Sequence, residues 1–585
     1  ICGAMQLCDA TGHCVGCLSP FDCPLPTSAC QERSCDNNVC GFTNKAAGTL
    51  VTNVPAGDCH HDECNATGGV ITVVDTGDLP STNGKECLVA ACSATGDPST
   101  TPKAAGVACS QGTGTECDGA GECVNCINAS ECGTDTFCAV HTCTAGVCDL
   151  QYKPVGTVFP GGDQTTGDCK QAICDGVGNP TSMVDTGDLP TNTNECVAAA
   201  CAADGTPSLT NKAVGTACSQ NSGTRCDDTP VCVPTFMSVR IGDGSATLTS
   251  AATTVFIDER SETNGFVFGT VTIPSSNNTG VSPKSLTLSG TADSDGHLAL
   301  SGDGHYVTLA GYNAPAGTPG VTGTATTGTG TLVPRIAARI DAAGNVDTTT
   351  TFGTAFNTDG VRSAVSNDGG QFWAGGNCSG SNCVRGVLYA VRNTSTSTLI
   401  ESTSNSTRVC IIALGGLYCD ANSGSRGVFT VGTGLPTTTA TIATQANTGA
   451  DSNASYFGLA VFDFTGPNNT PDGVADTIYV ADERAPNALP TVSGGGIQKW
   501  TKSGTTWSLV DTFSNMLGSA GVRGLAAHTS SAGVVLIATT ATASPVGNAI
   551  LKYVDTGAAA ATVLPTTLQA AGTNRVYRGV AVSPK

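Results

Sequence analysis

Cysteine is the residue type with the most chemistry to offer: the chain has 31 in 585 residues, and 27 of them lie between Cys2 and Cys232. Two pairs, Cys14-x-x-Cys17 and Cys123-x-x-Cys126, have the spacing of zinc ligands. The remaining cysteines supply no second matched pair with a histidine nearby, which argues against a zinc site. Neither pair is followed by His, so c-type haem attachment is excluded. Oxidation to disulfides is what remains. A reducing cytosol would leave such a segment as a polythiol, so the density places the chain in an oxidising compartment, and we read it as secreted, extracellular or at the cell surface.

Charged side chains offer a second possibility. Arg362, Arg408, Arg523 and Arg578 occupy equivalent places in a recurring short motif, and His297 takes a fifth. If these head the innermost strands of a toroidal fold, they ring one mouth of its channel and could hold an anion, a carboxylate ligand or an acidic segment of a neighbour. The other reading pairs each arginine with an adjacent carboxylate such as Asp295 or Asp359. A third candidate is Asn468-x-Thr470-x-Asp472-Gly473-x-x-Asp476, with Asp463 as an extra ligand. Oxygen ligands on alternate residues, with a glycine for the sharp turn, suit a hard cation. The segment resembles the Asp-rich calcium loops of integrin-type propeller blades, which implies calcium as the one cofactor. Asn468 and Thr470 depart from the usual acids, and an ordinary Gly/Asn hairpin turn is the alternative.

Other catalytic sets are missing. There is no Gly-x-Ser-x-Gly elbow, no His-Glu-x-x-His and no phosphate-binding P-loop, so a nucleotide cofactor is not expected. His60-His61-Asp62-Glu63 reads as a solvated loop. Aromatic residues make up 5% of the chain, and Trp373, Trp500 and Trp507 form no evident stacking platform for a glycan.

The elements that must position these residues fall into two halves. An offset of about 109 residues superposes the twelve cysteines from Cys17 to Cys123 on those from Cys126 to Cys232. Val74-Asp75-Thr76-Gly77-Asp78-Leu79-Pro80 recurs as Val184-Asp185-Thr186-Gly187-Asp188-Leu189-Pro190. The repeats are therefore 17–125 and 126–234, and 1–16 is the tail of an incomplete one, so we expect the array to extend or to have been cut upstream. One of Cys2, Cys8 and Cys14 is then expected to lack an intrachain partner. Within each repeat, Cys-x4-Cys opens at Cys30, Cys59 and Cys87 and again at Cys138, Cys169 and Cys196. Sub-units of about 28 residues are too small to bury a core, and disulfides of roughly 2–4 kcal/mol each must replace it. Twelve cysteines per repeat can all pair internally, in an order that spacing alone does not fix.

After Pro234 the chain is rich in Gly, Thr, Ser and Ala around short alternating segments, an all-β pattern. A motif recurs at 295–300, 361–365, 408–412, 457–461, 522–526 and 577–581, spaced to fit four-stranded blades. The sixth copy ends beside the C-terminus without a blade, and 236–274 supply three strands without an inner one. Joined, they close a six-bladed β-propeller over 235–585, with seven blades if a long gap hides one. Cys378 with Cys383, and Cys410 with Cys419, are expected as local staples.

Residues 1–234 hold 26 acidic against 8 basic side chains, and 235–585 hold 21 against 18. An acidic, basic-poor array repels nucleic acid and anionic membrane. No apolar run is long enough to span a bilayer, so membrane insertion is not expected. Residues 296–312, with 253–259, resemble propeller-like repeat domains of exported bacterial surface proteins. The Cys-rich half resembles repeats in secreted proteins of myxobacteria and their relatives. The resemblance implies compartment and architecture and carries over no catalytic residue. Together these features predict a non-enzymatic structural protein: a disulfide-stapled acidic stalk with a propeller head, self-associating into a filament or adhesive appendage. The alternatives are a propeller that binds a surface glycan, peptide, protein or metal and, less favoured, a propeller lactonase or lyase.

Overall fold

The computed structural model describes all residues except 1–2, 4–5, 52–54, 277–283, 324–331, 380–382, 405, 422–426, 447–452, 466–469, 490–491 and 543–546. Among the described residues the chain is all-β, with helix confined to short 3₁₀ turns such as Pro20–Asp22. It divides into two compact units, one of Ile1–Thr191 with Ala199–Ser208, the other of Asn192–Ala198 with Leu209–Lys585.

The first unit is a succession of two-stranded hairpins, among them Gln31–Asp36 with Val39–Asn44 and His60–Cys64 with Val70–Val74. Many turn through one device: an Asp or Asn at the first turn position accepts two later backbone N–H groups. Asp9 Oδ1 takes those of Thr11 and His13, and Asp175 Oδ1 those of Val177 and Asn179. Gly178, at φ 94°, supplies the left-handed step in the second of these turns.

A hairpin alone cannot hide an apolar face, and these do not. The buried apolar residues of this unit are cysteines, with Ala139 and Ile173 as the exceptions among those described. Sulfur is the core. The two members of each Cys-x4-Cys go in opposite directions along the chain. Cys30 bonds forward to Cys64, Cys59 to Cys92 and Cys87 to Cys117, so the first cysteine of one hairpin holds the second cysteine of the next. The second repeat copies the order with Cys138–Cys174, Cys169–Cys201 and Cys196–Cys226. Each repeat opens on two interleaved bonds, Cys17–Cys35 with Cys23–Cys40 and Cys126–Cys143 with Cys132–Cys148. Each closes on one short loop, Cys109–Cys123 or Cys218–Cys232. Cys123 and Cys126 are thus spent in different disulfides, which removes the thiolates a zinc site at this CxxC needs. The question of an unpartnered cysteine among the first three involves Cys2, which lies outside the described residues.

The acidic charge is tied down as well. The Asp of the recurring Gly-Asp-Leu-Pro segment reaches back to the preceding turn: Asp78 accepts the N–H groups of Gly57 and Asp58, and Asp188 those of Gly167 and Asp168. These bonds hold both carboxyls below the usual carboxylate range.

The second unit contains a six-bladed propeller. Five four-stranded sheets run in chain order, with inner strands Leu298–Leu300, Val361–Val365, Thr407–Ala413, Tyr456–Phe462 and Val522–Ser530. The sixth is closed by the C-terminus: Val576–Val582 is its inner strand and pairs antiparallel with Thr235–Ile241, followed outward by Val255–Ser261 and Val267–Thr272. The six inner strands neighbour one another in a ring. Apolar layers pack between adjacent sheets, such as Val409, Tyr418 and Val428 of the third blade with Tyr456, Leu459 and Ile478 of the fourth. Cys378–Cys383 closes a short loop, whereas Cys410–Cys419 is a rung between paired strands of the third blade.

Candidate functional site at the propeller axis

The recurring motif sets one side chain at the head of each inner strand: His297, Arg362, Arg408, Phe457, Arg523 and Arg578 in blade order. Blades one and four face each other across the ring, and their rings meet: His297 stacks on Phe457 with centroids 5.7 Å apart. The axis is plugged at this level. Arg408 lies 3.3 Å over the Phe457 ring and Arg523 5.6 Å from it. The residue after three of these positions is glycine because the inner strands touch there. A Cβ on Gly524 would fall 2.5 Å from the Arg578 carbonyl, and one on Gly579 would collide with the Leu298 backbone.

Each arginine has a carboxylate. Arg578 meets Asp295 at 2.5 Å, Arg408 meets Glu483 at 3.2 Å, and Arg362 meets Asp359 at 3.6 Å. Arg523 shares Glu483 at 2.9 Å and reaches Asp293 at 3.6 Å. The five residues picked out in the sequence therefore do converge, but as a neutralised layer. Four guanidiniums stand against four carboxylates, so little net field remains to attract an anion.

Burial sets the electrostatics of this layer. His297 is 4% exposed, its Nε2 has no hydrogen-bond partner, and its pKa falls to about 3, first from burial and then from Arg408, Arg578, Arg523 and Arg362. It is a neutral ring among cations. Burial also brings Arg408 down to about 9 in spite of Glu483. Asp295 is pushed up to about 6 because the loss of water outweighs Arg578. Asp420, fully buried at the end of the second strand of blade three, accepts the Val409 N–H and is pushed up to about 7.

Phe457, Glu483 and Asp420 complete this layer without belonging to the repeated cations. Phe457 holds the ring position in the fourth motif copy, but as an apolar residue in a polar series. Glu483 and Asp420 carry a weaker signal, an acid at or just past the end of an apolar second strand.

The loop expected to bind calcium lies elsewhere. Asp476 accepts the N–H groups of Phe464 and Thr465, Asp463 that of Gly473, and Asp472 that of Val474. These are turn-forming bonds, and they occupy one oxygen of each carboxylate. Asn468 lies outside the described residues. Among the described residues, the groups of three or more His, Cys, Asp or Glu ligand atoms close enough to share a metal are all cysteine sulfurs.

Among solved structures the chain is similar to TolB from Acinetobacter baumannii, with 9% identity and a TM-score of 0.32 over 59% of this chain and 67% of that one. It is also similar to apo AztD from Citrobacter koseri, with 10% identity and a TM-score of 0.25 over 59% and 98%. Similarity at this level transfers no function. No protein-family model matches the chain and no curated protein matches it, so the resemblance to myxobacterial surface proteins gains no support. The disulfides mark an oxidising compartment. Among the described residues, no helix is long and apolar enough to cross a membrane.

Proposed function

We propose that this chain is a non-enzymatic structural protein of the cell exterior, a subunit of a surface filament or adhesive appendage that carries a propeller head. The observation behind this reading is the forward-linked disulfide order. Because successive hairpins within each repeat are bonded to one another, tension along a repeat passes through covalent bonds rather than through a small core that could unfold. Self-association suits a repeat whose surface is renewed every hundred or so residues. The acid-rich surface of the array disfavours nucleic acid as a partner and leaves a protein or surface glycan as the other contact. At the propeller axis, the paired arginines and the neutral, stacked His297 favour a structural role over acid-base catalysis. Sedimentation velocity across a hundredfold range of concentration tests the proposal. Species that grow with concentration and persist under non-reducing conditions are expected; a single monomer boundary throughout would defeat it.

A further inference from the structure

Beyond the plug the propeller axis widens into a cavity of about 180 Å³ bounded by segments 298–300, 411–413, 459–462, 525–527 and 580–582. These segments come from five of the six inner strands. Its side chains are apolar, Leu298, Ile412, Leu459, Val461, Leu525 and Val580 among them, and none of the described residues lining it is charged. The lining continues toward solvent at two exposed residues. Leu414, 44% exposed, follows Ala413, and Phe464, 37% exposed, stacks on Phe462 at 5.1 Å. One end of the channel is thus closed by His297 on Phe457, and among the described residues the other is open.

The walls hold more than hydrocarbon. Each inner strand is the edge strand of its sheet, so one row of its backbone N–H and C=O groups has no sheet partner and faces the axis. Apolar cavities of about 150 Å³ already hold benzene. A charged group would lose its water here without gaining a counter-charge, since the arginines behind the plug are taken by Asp293, Asp295, Asp359 and Glu483.

The geometry points to this blind chamber as a binding site for a small uncharged ring compound that bears one amide or hydroxyl group. The ring fills the space between the inner strands, and the polar group meets a free strand edge. The site is independent of the filament reading, because a failure to bind leaves the sedimentation result unchanged.

Ligand-observed NMR titrations of the full chain with benzamide, benzyl alcohol and benzoate test it. Benzamide and benzyl alcohol are expected to bind saturably and to compete, with benzoate weaker by about tenfold or more, which corresponds to roughly 1.4 kcal/mol. Ala527→Phe and Val582→Phe, each at a half-buried lining position, fill the chamber and should abolish saturation with an unchanged far-UV spectrum. Absence of saturable binding by both neutral probes overturns the inference, as does benzoate binding as tightly as benzamide. Binding undiminished in a folded filled variant also overturns it. The ranking of the three probes on the unaltered protein decides the matter if neither variant folds.

Discussion

Arg578 and Asp295 form a pair whose removal can be worked through in numbers. Their side chains are 3% and 1% exposed, and the contact is 2.5 Å. Arg578 also donates to the Ser289 carbonyl. Arg578→Met leaves a carboxylate buried without its counter-charge, a change that costs about 3–5 kcal/mol. Asp295 has an escape, because it can take up a proton. Its pKa in the fold is already about 6, above the usual value for an aspartate, so the folded state keeps this proton longer than the unfolded chain does. Stability from the protonated form is therefore present at low pH and is lost as pH rises from about 4 through 6. Removing Arg578 raises that pKa further, and each pKa unit is worth about 1.4 kcal/mol. The variant should lose about 3–5 kcal/mol at pH 8 and distinctly less at pH 5. Adding Asp295→Leu to Arg578→Met should bring stability back to within about 1 kcal/mol of the original, since apolar replacements of a buried pair are often neutral. Thermal unfolding of the full chain at both pH values, followed by near-UV circular dichroism, reads these differences as shifts of several degrees. Equal losses at pH 5 and pH 8, or a double variant that simply adds the two single losses, would refute the reasoning.

Asp420→Asn keeps an acceptor for Val409 and removes a carboxyl pushed up to about 7, whose stabilising protonated form is lost as pH rises from about 4 through 7. It should raise Tm at pH 8 and leave it nearly unchanged at pH 4. Reduction under native conditions should make the Cys-rich unit protease-sensitive within residues 17–191 while the propeller stays resistant, because cysteine is nearly all the buried apolar material that unit has. Peptide mapping of a limited digest checks this. Calcium added to chelator-treated protein should leave Tm unchanged, given the backbone donors that Asp463, Asp472 and Asp476 already hold; a rise of several degrees would support the calcium reading instead.

The propeller was legible because its geometry repeats a local pattern. A bulky residue followed by Gly or Ser at four of the six inner-strand heads reflects strands that converge on the axis, as the crowding at Gly524 and Gly579 shows. Its closure was readable for the same reason: 577–581 had the inner-strand motif and no blade to follow. The disulfide order was not readable. Both cysteines of a Cys-x4-Cys sit at the same spacing, and only the stacking of one hairpin on the next sends Cys59 forward to Cys92 and Cys64 back to Cys30. At the axis, sequence placed the cations but left their neutralisation open, because Glu483 lies 75 residues from Arg408 and reaches it only once the blades close. Phe457 broke the run of polar residues and so concealed the stacking partner of His297.

Electron microscopy of the native, non-reduced protein is the most direct test of a structural role. The account predicts fibres or ordered arrays with an axial repeat, which fall apart when the disulfides are reduced. A field of separate, uniform particles at every concentration, unchanged by reductant, would contradict it.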